Sequence, residues 1–563
     1  VRSSAASDVY KRQVVDLGNL DSSERTVALA AADRELRHLL AELPAATTLL
    51  LTAPGAATKP PHLQLTLVDG TGYRAGLLES ASTRQPGLVV LTDLTPTVLG
   101  WLGQPVPPGL VGAQLTRGDR GALPGTLKAL TARDTAEQVW RSTHNEFFWA
   151  YALADAAVLA AIGLLSWGAA PERRRRRARW WRVAGVFAVS VPAGTFLAGL
   201  APWPQQTHPA ACLYGVAVAL ALVIGGAALA VTRRRDTLAP FGIICLFTVA
   251  VLGLDVMTGS RLQLETPFGL SVTEAGRFYG IGNEALGIYG ITALFGAAWL
   301  ALRFRQRYPS SRPALCAVAA VAVFAVFASG WPGFGGKAGG TIAMVPCFAL
   351  LAMAVAGVRF TWRRLVLAAV SGLALFAVFA LVSYFTRVTG KSDIGTFAGN
   401  TLHGNGGSLL LRKIHANLGS LSVNMFSPLI PVVVVVTGLM LWRPAWFGLK
   451  TMPLAYAAEP LLRPVLAVLW LMPVLGWFAD DSGVIVPAAA LPLVLPLGIA
   501  ALAATAYRYR SSQYRPSQGT EQEGLSAVPA IADSRRPVPA HDMAAEGDRR
   551  AEHPGVGGRD PGR

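Results

Sequence analysis

Charge is scarce in this chain of 563 residues: 15% are Asp, Glu, Lys or Arg, while 52% are hydrophobic. Soluble domains average about 25% charged residues, so an ordinary water-soluble protein is excluded. A mean hydropathy of +0.42 points the same way. Cysteine is rarer still. Cys212, Cys245, Cys316 and Cys347 all fall within apolar stretches. Their spacing suits neither a metal site nor a disulfide framework, so they read as small buried hydrophobes. Acidic residues are outnumbered 33 to 50 by Lys and Arg, which leaves a formal net charge of +17. In a soluble protein that excess would point to nucleic acid. Here the arginines stand beside apolar runs, where they set orientation and meet anionic headgroups; the expected partner is the lipid bilayer, and no nucleic acid. No internal repeat is visible.

Eleven apolar stretches are present, at 148–168, 181–202, 210–232, 238–257, 283–302, 313–330, 341–358, 365–385, 426–442, 464–479 and 484–506. Each approaches the ~20 residues that cross a ~30 Å hydrocarbon core. Tryptophans such as Trp149, Trp180, Trp203, Trp331 and Trp442 lie near their ends, as interfacial aromatics do. Basic residues fall on every second connection: Arg174–Arg177, Arg233–Arg235, Arg303 to Arg307, Arg359 to Arg364, Arg443 with Lys450, and Arg508 with Arg510. The positive-inside rule then places the N-terminal part outside and the tail inside a cell membrane. A semi-apolar piece at 452–463, with Glu459, Arg463 and two prolines, is expected at the cytoplasmic surface. Residues 507–563, rich in Pro, Gly, Ala and mixed charge, read as a disordered cytoplasmic tail.

Before the spans, 1–13 reads as a sequencing or adapter scar and 14–145 as a separate extracytoplasmic domain. Strands are predicted at 14–18, 47–52, 62–68 and 88–91, with helices over 21–43 and 93–103, an alternation that gives an α/β domain. The run Ser-Ala-Ser-Thr-Arg-Gln-Pro-Gly-Leu-Val at 80–89, followed by Leu-Thr-Asp-Leu-Thr-Pro-Thr-Val-Leu at 91–99, resembles the C-terminal part of the alkaline phosphatase/sulfatase superfamily. That resemblance implies a metal-dependent hydrolase fold, but the chain departs from it. The region carrying the family's nucleophilic Ser or Thr is absent. Thr52-Ala53-Pro54-Gly55 stands where the family has its Asp-His-Gly metal motif. The domain therefore reads as truncated and degenerate, with no metal expected, no cofactor assignable, and enzyme activity left open.

Three polar motifs fall on connections that the charge pattern sends outside. The first, at 276–287, contains Arg277, Tyr279, Asn283 and Glu284 and opens the fifth span. It is either a functional site or an ordinary helix start, since Asn and Glu both suit a first turn. The second is the glycine-rich turn 330–341 with Lys337, which either lines a polar cavity or simply joins two spans. The third, at 478–483, carries Asp480, Asp481 and Ser482, either a site for a cation, a substrate amine or Lys337, or a polar turn between helices. A long connection at 387–425 adds an amphipathic piece at 409–418 suited to a bilayer surface.

The Tyr-Gly-Ile-Gly-Asn-Glu run at 279–284, the turn at 330–340 and Asp-Asp-Ser-Gly at 480–483 together resemble a family of bacterial multi-spanning proteins, in which a phosphatase-like extracytoplasmic domain precedes the spans. Asp480 replaces that family's Asn. Richness in Ala, Gly and Arg fits an actinobacterial type of source. The expected fold is mainly α: a polytopic membrane helix bundle of about 11 spans at 146–506, preceded by the partial α/β domain. Three functions are open: binding or processing an envelope or lipid-linked precursor at the outer leaflet, a transporter or flippase, and a non-catalytic anchor or assembly partner.

Overall fold

The computed structural model describes residues 13–513 apart from 21–23, 45, 56–59, 71, 108–109, 167–170, 233–235, 275–277, 387–414, 416, 423–426, 450 and 481–482. Side chains are described except at 155, 158–159, 161–179, 386, 451 and 506–513. The N-terminal part contributes α1 (Arg25–Glu42), β1 (Leu49–Thr52), β2 (Thr66–Asp69), β3 (Gly76–Glu79), α2 (Leu94–Trp101) and β4 (Thr116–Arg120). A 44-residue helix, α3 (Leu123–Ser166), follows. The bundle continues with α4 (Pro171–Ala198), α5 (Pro209–Val231), α6 (Ala239–Met257), α7 (Asn283–Arg307), α8 (Arg312–Gly330), α9 (Ala338–Val355) and α10 (Trp362–Thr386). It closes with α11 (Leu429–Trp442), α12 (Thr451–Ala458), α13 (Leu462–Ala479) and α14 (Ile485–Gln513). All the packing described below lies within one compact unit, residues 1–510.

The protein is a membrane protein by its helices. Among the described residues nine are long and apolar enough to cross a bilayer. The sequence predicts eleven; one of these needs correction, and one falls largely outside the described side chains. The run at 426–442 forms only the 14-residue α11, because Pro428 caps its start and Arg443-Pro444 ends it. At 1.5 Å per residue it spans about 21 Å, short of a ~30 Å core. The run at 148–168 is the end of α3, most of whose side chains lie outside the described set. The piece at 452–463 holds the eight-residue α12, about 12 Å long and too short to cross. Beyond 513 the expected tail lies outside the described residues, as does most of 409–418.

Helix α7 is the axis of the bundle. Its apolar window is 83% buried, against 28% for α5 and α10, which present most of their side chains outward. Ile288, Tyr289, Ile291 and Leu294 are wholly enclosed by α6, α8, α9 and α13. Gly287 permits the closest approach: a Cβ there would stand 2.5 Å from the Val486 carbonyl oxygen of α14.

The N-terminal part departs from the α/β expectation. Among the described residues its strands form two separate two-stranded antiparallel sheets, β1–β2 and β3–β4, with no parallel pair. Residues 14–18 are not a strand; Val14 and Val15 are exposed. Helix α1 forms as expected but buries only Ala32. The apolar run 88–91 is not a strand either, for a local reason. Buried Asp93 accepts hydrogen bonds from Val90 N (3.1 Å), Ser82 Oγ (2.5 Å) and Ala113 N (2.9 Å), which holds the chain in a turn leading into α2. Leu88 is buried instead against Leu264, Leu270, Val272 and Phe278, on the connection between α6 and α7. Its apolar partner is a loop of the bundle rather than a sheet.

Candidate functional site

At one end of the bundle, the N-termini of α7 and α9, the C-termini of α6 and α13, and the flank of α3 come together. The connection from 258 to 282 folds back over them and is buried along most of its length. A buried irregular segment must satisfy its own backbone, and this one does so through side chains. Asp255, at the end of α6, accepts from Leu262 N (2.9 Å) and Gln263 Nε2 (3.4 Å). Gln263 Oε1 in turn accepts from Gly282 N (3.1 Å), and Ser260 Oγ from Gly280 N (2.7 Å). From α3, fully buried Glu137 accepts from Ser271 Oγ (2.6 Å), Val272 N (3.0 Å) and the Thr273 hydroxyl. Arg141 reaches Thr273 Oγ1 (3.0 Å) and Glu274 (2.7 Å).

Beneath this cover lie the residues that the sequence motifs single out. The glycine-rich turn folds onto the end of α8, with Gly335 N donating to Ala328 O (3.0 Å) and Lys337 N to Ser329 O (2.9 Å). That aims the Lys337 side chain inward. Its ammonium donates to Asn283 Oδ1 and pairs with Asp480 Oδ2 at 2.9 Å. Lys337 is 6% and Asp480 3% exposed, so the pair is shielded from water and depends on its geometry. Asn417 Nδ2 donates to the Asp480 carbonyl (2.9 Å).

Glu284 stands in the first turn of α7, where the helix dipole favours a carboxylate. Its Oε1 lies 3.8 Å from His144 Nε2, an ion-pair rather than a hydrogen-bond distance. His144 Nδ1 is 3.0 Å from the Pro267 carbonyl oxygen, which can only accept, so Nδ1 carries a proton and Nε2 faces the carboxyl. The imidazole is held flat against Trp140, with ring centroids 4.2 Å apart. Lys337 and Asp480 both act electrostatically on Glu284. The site is thus two adjacent acid–base pairs, His144–Glu284 and Lys337–Asp480, with Asn283 beside the second.

Of the expected residues, Asn283, Glu284, Lys337 and Asp480 converge. Arg277, Asp481 and Ser482 lie outside the described residues. Tyr279 belongs to a different contact: Arg84 lies 3.8 Å over its ring and donates to Gly333 O (3.0 Å). Beside it, buried Gln85 donates to Gly259 O (2.8 Å) and Phe278 O (3.1 Å). The run 80–89 therefore grips both motif-bearing turns. Of the partners expected for the acidic pair (a cation, a substrate amine or Lys337), Asp480 pairs with Lys337. Among the described residues no three of His, Cys, Asp and Glu gather as a metal site.

Sequence reasoning missed His144, Glu137 and Arg141. A signal existed: 137, 141 and 144 follow an i, i+4, i+7 spacing, one face of a helix. A polar stripe of that kind reads as a solvated face until its partner is known. No protein-family model matches this chain, and comparisons with curated proteins and with solved structures likewise return no match.

Proposed function

We propose that this chain is a multi-pass cell-membrane protein that binds or processes an envelope or lipid-linked precursor at the outer leaflet. The observation that carries the reading is the meeting of Asn283, Glu284, Lys337 and Asp480 with His144 at one bundle end. The opposite end bears Arg303, Arg305 and Arg307 of α7, which by the positive-inside rule faces the cytoplasm. On that orientation the site opens outward, the N-terminal part is extracytoplasmic and the tail cytoplasmic. The resemblance of 279–284 and 480–483 to bacterial multi-spanning proteins with a phosphatase-like domain supports this multi-pass architecture.

In chemical terms, the Glu284 carboxyl and His144 Nε2 form a half-buried pair between which one proton can be held. Lys337 is neutralised by Asp480, so it serves to position Asn283 rather than to capture a free anion. The test uses full-length purified protein with Glu284→Gln and His144→Gln. Binding of extracted envelope lipids is read by native mass spectrometry, and lipid movement by dye quenching in vesicles. Loss of lipid binding in both variants supports the reading; wild-type behaviour of both variants in both assays overturns it.

A transporter or flippase is the second reading. It is favoured by the position of the Lys337–Asp480 pair, which joins the ends of two spans, α9 and α13, and could part as they move. Loss of vesicle lipid movement with binding retained would select it.

A further inference from the structure

Between α3 and the buried connection runs a cleft of ≈ 430 Å³, separate from the ion-pair cluster. That volume lies within the range of small-molecule sites, about 300–1,000 Å³. Leu130, Leu264 and Trp203 form its apolar side, and Arg133, Arg261 and Glu265 its polar side. Arg261 also lines a neighbouring cleft of ≈ 290 Å³ with Arg84 and Ser80.

Three features point to a ligand. Glu265 is 8% exposed, and its Oε1 has no hydrogen-bond partner; the nearest cation, Arg133 Nε, is 4.0 Å away. A buried carboxylate oxygen left without a donor costs free energy that an incoming hydroxyl or amine relieves. Secondly, Glu265 is held at φ +55°, a left-handed conformation uncommon for a side-chain-bearing residue, by its N–H to the Leu270 carbonyl (2.9 Å). Thirdly, the guanidinium groups exceed what the protein itself engages. Arg133 gives one N–H to Pro86 O (3.2 Å). Exposed Arg261 gives its backbone N–H to Asp255 and acts on that carboxylate electrostatically, but its guanidinium makes no hydrogen bond among the described residues. Burial raises the Glu265 carboxyl to about 7, with Arg133 opposing and Glu137 adding to the rise, so it can meet an anionic ligand without a fixed negative charge.

We propose that this cleft binds a hydroxylated phosphate ester, with the phosphate held by Arg133 and Arg261 and a hydroxyl donating to Glu265. Trp203 and Leu264 then cover the apolar continuation of the molecule, where one exists. Trp203 lies in the connection between α4 and α5, at the ends of two spans, where the proposed orientation puts the boundary of headgroup and acyl chain. The inference rests on the envelope-precursor reading above, and names the headgroup chemistry and the place that holds it.

The experiment uses full-length protein in phosphatidylcholine nanodiscs. Two probes separate a lipid from a free headgroup: phosphatidylglycerol mixed into the disc, and water-soluble glycerol 3-phosphate. Wild type is expected to retain phosphatidylglycerol in preference to phosphatidylcholine. Arg261→Gln and Glu265→Gln are each expected to weaken that preference about tenfold, the scale of one charge-assisted hydrogen bond. Competition by glycerol 3-phosphate supports a site sufficient for the headgroup; retention of lipid alone supports one that needs the apolar wall. Arg261 is exposed, so its variant decides the matter if the Glu265 variant fails to fold. The cleft assignment is overturned if wild type shows no preference, or if Arg261→Gln binds both probes as wild type does. If Arg261→Gln behaves as wild type while Glu284→Gln loses envelope lipids, the earlier reading stands and only the cleft falls. The reverse pattern keeps the cleft and removes the ion-pair cluster from the function.

Discussion

Lys337 and Asp480 are 143 positions apart and meet at 2.9 Å, with the same ammonium donating to Asn283. One side chain thereby ties the starts of α7 and α9 to the end of α13. Removing either partner leaves an uncompensated buried charge, and such losses cost roughly 3–5 kcal/mol. Lys337→Met and Asp480→Leu are each expected to lower unfolding stability in detergent by that order. The double variant should lie closer to wild type than either single one. Strictly additive losses would show that the pair is not coupled.

The Glu265 carboxyl predicts a pH dependence. Its folded value is about 7, against an ordinary 4.5, because burial penalises the charged form. Between those values the folded protein keeps a proton that the unfolded chain has released. The contribution is present in full below pH 4.5 and declines as pH rises through about 7, by at most about 3 kcal/mol. The charged groups facing it are Arg133 and Glu137 from α3, with Arg261 across the cleft. Thermal unfolding recorded from pH 4.5 to 8 should show this slope in wild type and lose it in Glu265→Gln.

Two glycines separate steric from conformational demand. Gly280 has φ +83°, and a Cβ there would stand 2.3 Å from the Gly335 carbonyl oxygen; Gly357 has φ +70° with nothing within 4 Å. Gly357→Ala carries only the left-handed penalty, about 1–2 kcal/mol. Gly280→Ala adds a backbone clash that would push apart the two motif turns. It should cost more than Gly357→Ala and weaken envelope-lipid binding, while Gly357→Ala leaves binding intact. Equal losses of stability would remove the close approach of these turns from the account.

Orientation is open to direct measurement. Asp119 in β4 and Arg307 at the end of α7 are both exposed. In a background with the four native cysteines replaced, Asp119→Cys should react with an impermeant maleimide on intact cells. Arg307→Cys should react only after permeabilisation. Labelling in the opposite sense would invert the proposed topology.

The spans were legible because a long apolar run has one stable conformation in hydrocarbon, the helix. Helix α6 covers 239–257 where the pattern predicts 238–257, and α7 begins at Asn283 as expected. Prediction failed where an apolar run had more than one way to be buried. Residues 88–91 read as a strand, yet Asp93 turns them and Leu88 packs on a loop some 180 positions later. Within the site, Asn283, Glu284 and Lys337 were legible from their glycine-rich settings. His144 was not, because its partner is 140 positions away and its own helix face resembles a solvated one.

Arg84 and Gln85 are translated long before the turns they grip at Gly259, Phe278 and Gly333. The ribosome must deliver several helices between the making of the clasp and the making of what it fastens. During that interval the Leu88 side chain lacks its cover of Leu264, Leu270, Val272 and Phe278. The leading segment therefore cannot be fully latched until α6, α7 and α8 have been made, since Gly333 follows α8.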